Sequence, residues 1–327
     1  MIDFRYHVVS IVAVFLALAI GIVLGTTALR EPVINRLTAT TSQLGADNEK
    51  LRVDLRTLQQ QSKGNDDFVA EITPQLVEHQ LDGERVVVVE APGADPAQRD
   101  AVTAVLKQSG ATVAGRVSIQ NKYLADGEIN VIDELATRLR PPSVTLNGGT
   151  TYERAGQLLA SAVVTDDDSA AESPPDDTVL SGFETAEYVS GRPDARATLA
   201  VMIAPSTPFT GNGAVDDNAA LVAMAQALDA QGTGATLIGP APSAAEGGLV
   251  KALRESGEAS EEVSTVDAAD TAAGRVVAVL ALQRELSGRT GHFGTGQGVE
   301  GFHPTPYPTP DSPESTPSAA SRQGRRP

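Results

Sequence analysis

The side chains able to bind a soft metal are few and scattered. They are four histidines, His7, His79, His292 and His303, and three methionines, Met1, Met202 and Met224, with no cysteine. Copper(I) prefers thiolate and thioether sulfur and accepts imidazole, but no two of these ligands stand three or four residues apart, as one helix face would require. Met202 lies in an apolar, strand-like stretch and Met224 in an apolar, helix-like one, so both read as core. That leaves His292 and His303 as the candidate metal ligands, provided the chain between them folds back. His292 sits in GRTGHFGTGQG, 288–298, whose five glycines permit positive φ and the backbone nest that binds anions. Two readings stay open for this segment. In one, His292 is the acid, base or ligand of an anion site; in the other, the segment is a glycine-rich turn or exit strand and His292 satisfies a backbone carbonyl.

Other chemistries lack a seat. The sequence contains no phosphate-binding Walker loop, no GxSxG elbow and no HExxH pair, and the absence of cysteine removes disulfides, thiolate metal sites and thiol nucleophiles together. Gly296, Gly298 and Gly301 match GxGxxG formally, but FHPTPYP follows, and its prolines prevent the helix that a dinucleotide site needs. The acidic run DDDSAAESPPDD, 166–177, lacks the spaced carboxylates and closing Glu of a calcium loop and reads as a solvated connection. A net charge of −17 and an aromatic content of 4% disfavour nucleic acid, whose phosphates demand clustered Lys and Arg. No catalytic residue is assigned, and no enzyme activity is expected.

The elements around these residues begin with a span. Residues 8–29, VVSIVAVFLALAIGIVLGTTAL, carry no charge, and 22 helical residues extend roughly 33 Å, enough to cross a hydrocarbon core. A cleaved signal peptide would have a shorter apolar region behind a positive start, so residues 1–29 read as an uncleaved transmembrane anchor. Arg30, Arg36 and Lys50 follow the span while Arg5 precedes it, a count that mildly opposes export; long domains translocate largely regardless, and the bulk is expected outside. Leu37, Leu44, Leu51 and Leu58 then recur every seven residues, with Ile34, Asn48 and Leu55 among the alternate seam positions. An Asn at such a position specifies a parallel pair, so residues 30–64 are expected to form a homodimeric coiled coil through 34–62, ending at Gly64. A helix lying on the downstream domain is the simpler alternative.

From 65 to 300 strands and helices alternate. VVVV at 86–89 is the continuous apolar run of a strand buried on both faces, a helix follows from Pro96, and ATVAGRVSI at 111–119 is a second strand. The same order returns in TLAVMIAP at 198–205, a helix over 215–231, and GATLIGP at 234–240. Both units end the first strand in Ala-Pro and open the second with Gly-Ala-Thr. The fold class is therefore α/β, a parallel sheet with two related βαβ units and candidate halves at 65–165 and 178–300. Residues 301–327, rich in Pro, Ser and Thr, read as a disordered tail.

RYHVVSIVAVFLALAIGIVLG at the start and VSTVDAADTAAGRVVAVLALQRELSGRTGHFGTGQG at 263–298 resemble the two end motifs of the actinobacterial copper transporter family typified by MctB, over about residues 5–298. The resemblance implies a cell-envelope protein linked to copper homeostasis and export, with copper as its metal. It also implies the alternative of a non-catalytic dimeric scaffold that regulates cell separation, with a second membrane protein or a cell-wall hydrolase as partner. A transport role sits uneasily with one span, which encloses no hydrophilic path.

Overall fold

The structure is a computed structural model that describes residues 4–147 and 149–305, with the side chains of residues 26–38 outside that description. The predicted tail from 306 onward, and the seam residues Ile34 and Leu37, fall outside it. The chain divides into two compact units, the second beginning at Asp66.

The first unit is helical. Helix α1 runs Phe4–Val77, and within residues 4–65 every described side chain is exposed. The stretch Phe4–Gly25, 22 residues with mean hydropathy 2.9, has the length and composition of a membrane span. Gly64 does not end the helix as expected. The helix continues because an apolar and polar face recurs at helical spacing beyond it, with Thr73, Val77 and Gln80 all buried in the second unit. Asp66 adds a tether by accepting from the backbone N–H of Ala272.

The second unit is built on a seven-stranded sheet. Its elements are β1 (Arg85–Glu90), α2 (Pro96–Gln108), β2 (Thr112–Ile119), α3 (Ile129–Arg138), α4 (Thr151–Val163), α5 (Asp177–Thr185), β3 (Val189–Ser190) and β4 (Leu199–Ile203). They continue with α6 (Ala214–Gln231), β5 (Gly234–Ile238), α7 (Leu249–Arg254), α8 (Gly257–Glu262), β6 (Ser264–Val266), α9 (Ala272–Glu285) and β7 (His292–Phe293). The strand order is β3-β2-β1-β4-β5-β6-β7, and every pair is parallel except β2 with β3. The short antiparallel edge at β3 departs from the all-parallel expectation, and it places residues 189–190 beside β2, so the two candidate halves share one sheet.

Alternation along the strands sorts the core into two layers. Val86 and Val88 face a layer that includes Val77, Leu106, Val279 and Phe293, under α2 and α9. Val87 and Val89 face the other, which includes Ile132, Leu158, Phe183 and Leu221, under α3 to α8. The βαβ units at β1-α2-β2 and β4-α6-β5 step outward from the sheet centre in opposite directions. A right-handed crossover then puts their helices on opposite faces, as observed for α2 and α6. Local chemistry fixes the helix starts. Asp95 accepts from Ala97 N ahead of Pro96, Thr150 and Glu153 form a reciprocal capping box on α4, and Asp176, at the end of the acidic connection, caps α5.

Candidate functional site

In a sheet of this order, ligands enter where the direction reverses, outside the carboxyl ends of β1 and β4. Here the two Ala-Pro turns meet at that point. Ala91 N donates to Ile203 O at 3.0 Å, and Ser206 donates to Gly93 O from both its backbone N and its Oγ at 3.0 Å. The chain thereby bridges its own crevice. Beside it, Glu90 is held by Arg99 Nη1 at 3.1 Å and by the Ser118 hydroxyl.

The glycine-rich segment forms its nest around a group of its own chain. β7 adds parallel to β6, with Thr265 opposite His292 and Val266 opposite Phe293, which carries the following turn over the end of β6. Asp267, fully buried there, takes four donors. Its Oδ1 accepts from Thr295 N at 2.6 Å and Thr295 Oγ1 at 3.3 Å, and its Oδ2 from Gly296 N at 2.9 Å and Arg254 Nη1 at 2.7 Å. Arg254, on α7, spends its remaining donors on Thr265 Oγ1, Gln297 O and Phe293 O. Glycine is required at 294 because φ there is +126° and a Cβ would lie 2.1 Å from Asp267 Oδ1. The carboxylate held by this loop is that of Asp267, a residue of the same chain.

His292 is tied into the same network. Its Nδ1 lies 3.0 Å from Thr265 Oγ1, which already accepts from Arg254 Nε at 2.8 Å. The Thr265 hydroxyl, with one hydrogen and two lone pairs, links the guanidinium and the imidazole. Burial pushes the ring's pKa down and the Arg254 charge adds to this, against a smaller pull from Glu300 and a backbone hydrogen bond to Ser260. A metal at Nδ1 has to displace the Thr265 contact. His303 lies on the turn after β7 with Nδ1 2.8 Å from Pro304 O. Among the described residues, no group of three or more His, Cys, Asp or Glu is arranged to hold a metal ion. Met202 and Met224 are core residues at 1% and 2% exposure, as expected.

Sequence reasoning did not single out Arg254 or Asp267. Asp267 had a signal, since it terminates the short apolar strand of VSTVD within the quoted end motif. Arg254 had none, because its role depends on α7 passing beside the end of β6.

A helix of membrane-spanning length joined to a doubly wound α/β domain with an internally locked glycine loop defines the class, an α/β protein with an N-terminal apolar helix. The sequence then places it among known proteins. Residues 1–304 match the family described as "Copper transport outer membrane protein, MctB", and the chain belongs to that family. Its relatives include "Copper transporter MctB" of Mycobacterium tuberculosis (strain ATCC 25618 / H37Rv), 30% identical over 91% of this chain and 98% of the relative. The protein of the same description from Mycobacterium leprae (strain TN) is 27% identical over 91% of this chain and 98% of its own length.

Proposed function

We propose that the chain is a membrane-anchored envelope protein acting in copper homeostasis, with the α/β domain on the extracytoplasmic side and a second copy paired along residues 34–62. Family membership over residues 1–304 carries the copper reading, since the relatives named copper transporters share both the anchor region and the domain. The physics restricts how transport is achieved. One apolar helix encloses no hydrophilic path, and the sheet strands are covered by helices on both faces, so they present no lipid-facing surface. The conducting path therefore comes from a larger assembly or a second membrane protein. Pairing is supported by an unpartnered stripe on α1, where Leu44, Leu51, Leu55 and Leu58 are 56–66% exposed, with Asn48 exposed among them.

The test measures cell-associated copper by mass spectrometry in cells lacking the gene and in complemented cells under copper load. At least twofold more copper in the deletion, reversed by the wild-type gene, is expected; equal copper content and equal copper tolerance refute the reading. Anaerobic Cu(I) titration of the full-length protein in detergent, beside a His292→Ala, His303→Ala variant, separates direct ligation from an indirect role. Binding tighter than micromolar that disappears in the variant places copper on these two imidazoles, in exchange for the Thr265 contact.

A further inference from the structure

Glu285 is a buried acid with no ion pair among the described residues. It is 4% exposed, Ser264 N donates to its Oε1 at 3.1 Å, and the backbone of Gly234 packs against its Cβ. The charges around it do not neutralise it. From α6 comes Asp229, whose Oδ1 accepts from Ala235 N at 2.8 Å, and from α8 comes Glu262, whose Oε2 accepts from Gln226 Nε2 at 3.2 Å. The neighbouring cation, Arg284, is engaged by Glu300 at 3.3 Å and lies over the Phe293 ring, and Arg289 beyond it is exposed. The strands β5 and β6 contribute Gly234 and Ser264, which carry no charge.

Glu285 and Asp229 also stand in the last turns of α9 and α6, where unpaired carbonyls already make the potential negative. An ionised Glu285 exchanges water for the donors of Ser264 alone, so the folded chain favours the neutral acid. Burial accordingly pushes its carboxyl up to about 8, with hydrogen bonds from Ser264 and the Arg284 charge opposing and Asp229 adding to the rise. Burial likewise raises Asp229 to about 6, and Glu262 adds to it against the bond from Ala235 N.

The residues that surround this acid also fasten the segment that follows α9. Gly291 N donates to Ser264 Oγ at 3.0 Å, Thr290 Oγ1 donates to Glu262 O at 3.1 Å, and Thr265 N donates to Gly291 O at 3.1 Å. Residues 286–291 thus hang from Ser264, the residue whose N–H holds Glu285. They lead into β7, a strand of two residues at the edge of the sheet. So short an edge strand has few bonds to lose, and segments of this kind open at lower free energy than central strands.

We propose that residues 286–293 form a proton-controlled strap, which neutral Glu285 keeps seated on β6 and which loss of the Glu285 proton releases. An opening that carries the carboxyl into water returns it to the ordinary value of 4.5. Between that value and about 8 each pH unit therefore makes the opening up to tenfold more favourable. The test is hydrogen exchange by mass spectrometry on the full-length protein in nanodiscs, with each rate divided by the intrinsic chemical rate at the same pH. From pH 5.5 to pH 7.5 the opening of residues 286–293 is expected to rise at least tenfold in wild type and less than threefold in Glu285→Gln, which keeps the acceptor for Ser264 N. At pH 7.5 the strap is expected to open at least a hundredfold more readily than β1 and β4, as a segment that moves by itself. Ser264→Ala, which cuts the bond to Gly291 N, is expected to raise the opening at least threefold at pH 5.5, where the acid is neutral. A strap as protected as β1 and β4 opens only with the whole domain and overturns the proposal. So does an opening independent of pH in wild type, an equal rise with pH in Glu285→Gln, or no effect of Ser264→Ala at pH 5.5.

Discussion

Replacing Glu285 by Gln should stabilise the protein at neutral pH and leave it unchanged in acid. Glu285 closes α9 at 4% exposure, its Oε1 accepting from Ser264 N at 3.1 Å, and the backbone of Gly234 packs so closely that a Cβ there would lie 2.5 Å from Glu285 Cβ. Burial pushes its carboxyl up to about 8, helped by the negative charge of Asp229, which is itself raised to about 6 by burial. The folded state thus holds a proton that the unfolded chain gives up near 4.5. Stability from this group is full below pH 4.5, falls as pH rises, and is flat above about 8. At pH 7 the difference is about 3 kcal/mol, from about 1.36 kcal/mol for each of the pH units above the unfolded value. Gln keeps the acceptor for Ser264 N and does not titrate, so Glu285→Gln should recover about 3 kcal/mol at pH 7, or roughly 6–12 °C in Tm for a domain of this size. Circular dichroism melts of the full-length protein in nanodiscs at pH 4.5 and pH 7 read this directly. An equal shift at both values, or a fall at pH 7, would refute the reasoning.

The lock on the glycine loop gives two further predictions. Gly294→Ala forces a Cβ into Asp267 at a positive φ and should destabilise the domain by about 3 kcal/mol in denaturant titration; a loss under about 0.5 kcal/mol would show that the loop yields freely. Asp267→Ala strands Arg254, whose side chain is 3% exposed, and should cost about 3–5 kcal/mol, with Arg254→Met in the same chain recovering part of that loss. Full additivity of the two substitutions would mean the pair is not coupled. On α1, Asn48→Leu should turn a single dimer species into a mixture of dimers and higher oligomers in analytical ultracentrifugation, because the register-setting amide is gone. A monomer in both proteins would exclude pairing through 34–62.

The central strands were legible because β1, β4 and β5 are largely apolar and Ala-Pro or Gly-Ala-Thr bounds each unit; β1 contains the quoted VVVV, and β2, β4 and β5 fall within their quoted segments. The short elements were not. β3, β6 and β7 have two or three residues each, too few for alternation to show, and they exist because neighbouring strands offer an edge. The continuation of α1 past Gly64 was hidden for a related reason. The signal was the spacing of Val69, Thr73, Val77 and Gln80, but two of those four side chains are polar, and their burial depends on a domain surface that sequence alone does not display. In the glycine loop the residue types were read and the occupant was missed. Five glycines left an anion nest and a plain turn both open, because nothing local distinguishes an external anion from the carboxylate of Asp267, 27 residues before Gly294.

That last distinction bears on where function resides in this chain. The end motif 263–298 contains Asp267, the cap Thr271, and Gly274, where a Cβ would lie 1.8 Å from Ala268 O. Each of these requirements is met inside the domain, by an ion pair, a helix cap or a close backbone approach, and none leaves a group pointing outward. The motif therefore explains why the C-terminal edge of the sheet closes. Groups outside the motif that lack a partner or a cover include the Asn218 amide oxygen on α6 and the exposed Leu44, Leu51, Leu55 and Leu58 on α1. Unmet hydrogen-bonding and uncovered apolar area are the two free-energy sources from which association is built. Substitutions at the exposed leucines of α1 should therefore alter assembly and transport while leaving the melting temperature near that of wild type, whereas substitutions in 263–298 should lower all three together.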